Sequence, residues 1–274
     1  MRLKLKDIKR VVIKVGTSTL TYDSGKLNLD RMKHLVRELA DLAHSGREVI
    51  LVSSGAIAVG CSRLKVGQRP KTTPEKQALA AVGQGILMQT YENFFAEYGL
   101  IVGQILLTKA DVDNGKRYEN AVNTFETLLR YEVIPIVNEN DTVATEEIEF
   151  GDNDTLSAYV AEVAKADLLI VLSDIEGLYT ADPRQYPQAS LISVVEEITA
   201  DIEKLASGAG SGFGVGGMLT KLQAARIAAE AGFPMIIASG ERPGLIKAAI
   251  EGKKVGTLFL PLAWRQPDFN RGEI

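Results

Sequence analysis

The chain has 274 residues, with 31 Lys and Arg against 35 Asp and Glu, a formal charge of −4. At 46% apolar and 24% charged it has a globular composition with room for a sizeable core, which excludes a disordered or low-complexity chain. The acidic balance argues against nucleic-acid or membrane-surface binding by bulk charge, one cysteine excludes an internal disulfide, and two histidines leave little for a His-rich metal site.

The basic N-terminus lacks an apolar run of signal-peptide type, and the longest apolar runs, such as Leu168–Leu172, have strand length and not membrane length. A reducing, cytoplasmic setting is therefore expected. In chain order, the pattern predicts a strand at Val11–Val15, a helix over Leu29–His44, a strand at Glu48–Val52 and a helix over Pro74–Tyr98. A strand at Leu100–Leu106, a helix over Arg117–Tyr131, a strand at Val133–Val137 and a helix over Asp154–Lys165 follow. Then come a strand at Leu168–Leu172, helices over Met218–Ala231 and Pro243–Ile250 around a strand at Met235–Ala238, and a last strand at Thr257–Leu260. Gly46, Gly99, Gly232 and Gly252 close their helices in the manner of left-handed C′ residues. Strands that are apolar throughout alternate with amphipathic helices. This predicts an α/β fold whose parallel sheet is covered on both faces. The organisation expected is one domain over 1–261, with lobes of about 1–166 and 167–261, and a polar tail over 262–274.

Several segments carry chemistry. Lys14 interrupts the apolar strand Val11–Val15 and is followed by Gly-Thr-Ser; it is either a phosphate ligand or a lysine snorkelling from an edge strand. Ser53-Ser54-Gly55 leads from a strand into a small-residue helix, either an anion site at the helix N-terminus or a plain cap. Glu139, Asp141, Asp152, Asp154 and Glu149 gather carboxylates beside a sheet end, a cluster that repels itself unless cations meet it. Ser173 and Asp174 end a buried strand, where the aspartate either accepts from a nucleoside or makes an Asx turn. Six glycines in the ten residues from Gly208 to Gly217 precede a helix bearing Lys221. They match neither a dinucleotide fingerprint in context nor a Walker A loop, and read as a flexible phosphate cradle. Two lysines, two glycine-bearing loops and an acidic cluster together suggest phosphoryl transfer, which relies on positioning and charge neutralisation.

The ordered set Val-Ile-Lys-Val-Gly-Thr-Ser, Ser-Ser-Gly-Ala-Ile, Asn-Glu-Asn-Asp-Thr-Val, Gly-Asp-Asn-Asp-Thr-Leu-Ser-Ala, Leu-Ser-Asp-Ile-Glu-Gly-Leu-Tyr and Gly-Val-Gly-Gly-Met-Leu-Thr-Lys runs from about Arg10 to Pro261. In these motifs the chain resembles the amino acid kinase superfamily and, within it, the glutamate 5-kinase family. The resemblance implies a three-layer α/β/α sandwich with a largely parallel open sheet. It implies transfer of a phosphoryl group from ATP, with Mg²⁺ held mainly through the nucleotide phosphates, to the side-chain carboxylate of L-glutamate, the first step of proline biosynthesis. Carried across, Lys14 and Lys221 flank the transferred group and Asp154 holds them in place. Ser54, Asp141 and Asn153 bind glutamate with Asp152 close by, and Ser173, Asp174 and Val215, Gly216, Gly217, Met218, Leu219, Thr220 and Lys221 contact the nucleotide. Val215 stands where the family often has Thr. Family members are commonly homo-oligomers inhibited by proline, with Lys109–Tyr118 as a place for that regulation, and many carry a C-terminal RNA-binding-type (PUA) domain for which this chain has no sequence left.

Overall fold

The structure is a computed structural model and describes residues 8–67, 70–113, 115–144, 152–208 and 217–265. The first half contributes β1 (Arg10–Val15), α1 (Thr17–Leu20), α2 (Leu29–His44), β2 (Glu48–Ser53), α3 (Ala56–Leu64), α4 (Thr73–Ala96), β3 (Val102–Leu107), α5 (Lys109–Asp113), α6 (Gly115–Arg130) and β4 (Ile134–Glu139). The second contributes α7 (Asn153–Val163), β5 (Leu168–Ser173), β6 (Val194–Val195), α8 (Ala200–Gly208), α9 (Met218–Ala231), β7 (Met235–Ser239), α10 (Leu245–Ile250) and β8 (Thr257–Phe259). Eight strands form one sheet in the order β3-β4-β2-β1-β5-β7-β8-β6. Every neighbouring pair from β3 to β7 is parallel; β8 runs antiparallel to β7, and β6 is parallel to β8.

Strand side chains alternate between the two faces, and the core divides accordingly. Val12, Ile50, Val52, Val137, Val171 and Ile237 pack with Phe125 of α6, Leu156 of α7 and Leu222 of α9. Val11, Ile13, Leu51, Ile136, Ile170 and Ile236 pack on the other face with Val36 of α2, Phe95 of α4 and Ile250 of α10. The three-layer α/β/α arrangement expected from the alternation is therefore the observed one. The same parity places Lys14 on the side of Val12, under α7 and α9, and β1 lies at the centre of the sheet between β2 and β5. The edge-strand reading of Lys14 is thereby excluded.

The four helix-ending glycines all have positive φ. Some boundaries differ from expectation. The helix expected from Arg117 starts at Gly115 and is preceded by the separate turn α5, anchored where Asp111 accepts from Thr108 N at 2.7 Å. Strand β6 has only two residues, too few to leave a periodic signal. Leu262–Arg265, expected to begin an aperiodic tail, forms a 3₁₀ turn because Trp264 packs against the core. No helix among the described residues is long and apolar enough to cross a membrane.

Helices α3 and α4 approach each other through glycine. A Cβ on Gly83 would lie 1.7 Å from the Ala56 carbonyl oxygen, and one on Gly60 would lie 2.0 Å from that of Leu79. Both obstacles are backbone, so relief requires the helices to separate. Gly83→Ala is expected to cost about 3 kcal/mol or more, read as a lower urea midpoint at unchanged slope.

Candidate active site

The carboxyl ends of parallel strands gather at one edge, the place where open α/β sheets receive ligands. Here the ends of β1, β2, β4 and β5 border a cleft of about 1010 Å³. Its wall includes Lys14, Ser54, Asp141, Asp152, Asn153, Asp154, Ser173, Asp174 and Lys221, residues drawn from both halves of the sheet. Sequence-distant candidates are thus brought into one space.

At its floor lies Asp154, in the first turn of α7, with no exposed surface. Lys14 Nζ sits 2.5 Å from Asp154 Oδ1, and Lys221 Nζ sits 3.1 Å from Oδ2. One lysine comes from the centre of β1 and the other from the first turn of α9. Thr220 Oγ1 stands 3.0 Å from the same Oδ2 and 2.8 Å from the Gly217 carbonyl, bridging the carboxylate to the start of α9. Burial pushes the Asp154 carboxyl up, but the two ammonium groups outweigh it and hold the group below its usual value. The arrangement is a carboxylate with two cations whose remaining donors can turn to a second anion.

The helix N-termini add to it. Gly55, at φ 104°, opens α3 with no side-chain cap, a conformation that glycine adopts without strain. Its neighbour Ser54 is held where its N–H donates to the Val15 carbonyl at 3.1 Å. Gly217 likewise opens α9 without a side-chain cap. Both ends leave N–H groups available to an anion. Asp152 caps α7, accepting from Thr155 N at 2.8 Å; burial pushes its carboxyl up, Thr155 offsets part of this, and the charge of Asp154 adds to the rise. Asn153 donates through Nδ2 to the Ser53 carbonyl at 3.1 Å and to Asn138 Oδ1 at 2.9 Å. Ser173 donates to Asp174 Oδ1 at 3.0 Å at the end of β5.

Of the glycine-rich segment, Val215 and Gly216 lie outside the described residues, as does Glu149. Lys221 lines the cleft, Thr220 meets it through Asp154, Met218 is buried and Leu219 is half exposed. Two features escaped the sequence. Thr220 was legible only as a nucleotide contact, although it also bonds the central carboxylate. Asn138 sat unremarked beside Glu139, although its carbonyl oxygen receives the Asn153 amide; its one signal was a polar residue inside a fully buried strand.

Residues 9–239 match the amino acid kinase family. The glutamate 5-kinase of Clostridium tetani is 58% identical over 255 residues, spanning 93% of this chain and 96% of that protein. That of Moorella thermoacetica is 56% identical over 260 residues, spanning 95% and 69%. Among solved structures, the UMP kinase from Ureaplasma parvum is similar at a TM-score of 0.65 over 92% of this chain and 99% of that one. At 14% identity, that likeness speaks for the fold alone. With over half its residues shared along nearly its own full length, the chain belongs to the amino acid kinase family, in its glutamate 5-kinase branch.

Proposed function

We propose that the protein transfers the γ-phosphoryl group of ATP to the side-chain carboxylate of L-glutamate, giving ADP and L-glutamyl 5-phosphate, the first step of proline biosynthesis. The observation that carries the reading is Asp154 between Lys14 and Lys221 at the floor of the cleft. A carboxylate oxygen of glutamate forms the new bond to phosphorus as the bond to the ADP oxygen breaks. Charge builds on the equatorial oxygens, where two ammonium groups and two uncapped helix starts stabilise it. Asp154 holds both lysines in place at the cleft floor. The acceptor lies toward Ser54, Asp141, Asp152 and Asn153, whose oxygens suit an ammonium group. The nucleotide lies toward Ser173, Asp174 and 215–221, with 1–166 acting as the amino-acid lobe and 167–261 as the nucleotide lobe.

Mg²⁺ would be held mainly through the nucleotide phosphates. When bound, it neutralises phosphate charge. Cytoplasmic location, homo-oligomeric assembly and inhibition by proline belong to the same proposal and rest on family membership.

The test is incubation with MgATP and L-glutamate, trapping acyl phosphate with hydroxylamine while following ADP, with L-aspartate and N-acetyl-L-glutamate in parallel. Hydroxamate from glutamate alone is expected. Hydroxamate from another acceptor instead, or no turnover despite ATP binding, would reject the substrate or the activity respectively.

A further inference from the structure

We propose that Gln84 is a positioning residue for the amino-acid substrate, holding in place through Asn138 the amide that Asn153 turns to the cleft. The inference rests on the glutamate-binding reading above. Gln84 and Asn138 are both buried, Gln84 on α4 and Asn138 near the end of β4. Asn138 Nδ2 donates to Gln84 Oε1 at 2.8 Å.

An amide has a donor end and an acceptor end, and here fixed groups decide which way each one points. The backbone N–H of Glu139 can only donate, and it reaches Asn138 Oδ1 at 2.9 Å. That places the Asn138 amino group toward Gln84, which must answer with its oxygen. The Ser53 carbonyl can only accept, so it draws Asn153 Nδ2, whose second proton goes to Asn138 Oδ1. Both protons of the Asn153 amide are thereby committed. What Asn153 retains for a ligand is its carbonyl oxygen, an acceptor suited to the ammonium of an amino acid.

Gln84 closes the far end of this chain. Its own Nε2 is buried with no partner, a cost that the helix carries while Oε1 serves Asn138. The close contact of Gly83 with the Ala56 backbone seats this turn of α4 firmly against α3. Tyr91, two turns on, meets Ser53 Oγ at 2.9 Å, so the same helix steadies the strand end whose carbonyl orients Asn153.

Removing the acceptor with Gln84→Met leaves the Asn138 amino group buried and unpaired, so Asn138 holds its place, and with it the Asn153 amide, less firmly. The expected result is a rise of about tenfold in KM for L-glutamate, with kcat and the KM for ATP within about twofold of wild type. Preference for L-glutamate over glutarate, which lacks the ammonium, should shrink by a similar factor. Gln84→Glu keeps an oxygen facing Asn138 and should restore most of both. A packing role alone would instead impair glutamate and glutarate equally and raise the KM for ATP, and that outcome would overturn the inference. So would an unchanged KM in Gln84→Met, or a Gln84→Glu variant no better than it. In the wild-type protein itself, side-chain amide ¹⁵N spectra should show the Asn138 and Asn153 NH₂ protons protected from exchange. Rapidly exchanging Asn153 protons would overturn the inference whatever acceptor the enzyme proves to use. Failure of the glutamate reading, by contrast, would appear as absent wild-type hydroxamate.

Discussion

Lys221→Ala lowers turnover by roughly 10²–10³-fold, the loss expected when one charge-stabilising donor is withdrawn from a preorganised site. The side chain is only 6% exposed and its ammonium is held at Asp154, so truncation removes a cation fixed at the cleft floor. Asp154 keeps Lys14 as a partner, which should let the variant fold. Initial rates of hydroxamate formation under saturating MgATP and glutamate measure the effect. A variant within a few-fold of wild type would mean that Lys221 serves Asp154 and not the transferred group.

Asp154→Asn should be costlier, because it acts on both lysines at once. The ammonium groups of Lys14 and Lys221, 7% and 6% exposed, lose their common counter-charge while remaining in the same buried space. Breaking a buried ion pair from one side costs about 3–5 kcal/mol. The variant is therefore expected to lose stability as well as turnover, with a lower urea midpoint and kcat reduced more than glutamate affinity. Added MgATP should recover part of the midpoint, since phosphate supplies the missing negative charge. A variant of wild-type stability whose only defect is a raised KM for glutamate would contradict this account.

The layers and the strands near the cleft were readable because buried parallel strands are apolar throughout and their helices end in glycine. Lys14 shows both the reach and the limit of that reading. Its intrusion into an apolar strand marked it as unusual, yet whether the strand was central or at an edge depended on pairings with β2 and β5, which lie far away in sequence. By spacing alone Asp154 is one of several carboxylates; the family resemblance singles it out, and the meeting of β1, α7 and α9 brings both lysines to it. Gln84 was hidden for a different reason. Polar and apolar residues are spread all round α4, so one glutamine among them carries no sign of facing inward until its partner on β4 is known.

Lys14 and Lys221 are never bare in the resting protein. A polyphosphate entering the cleft meets cations already engaged, so it wins a share of their attention and not two vacant charges. On the proposed reading, nucleotide affinity would be held down in consequence, and the same restraint would act on the product. Once ADP left, Asp154 would be in place to take back both ammonium groups, so that departure would expose no uncompensated charge. The buried carboxylate would make the cycle one of exchange.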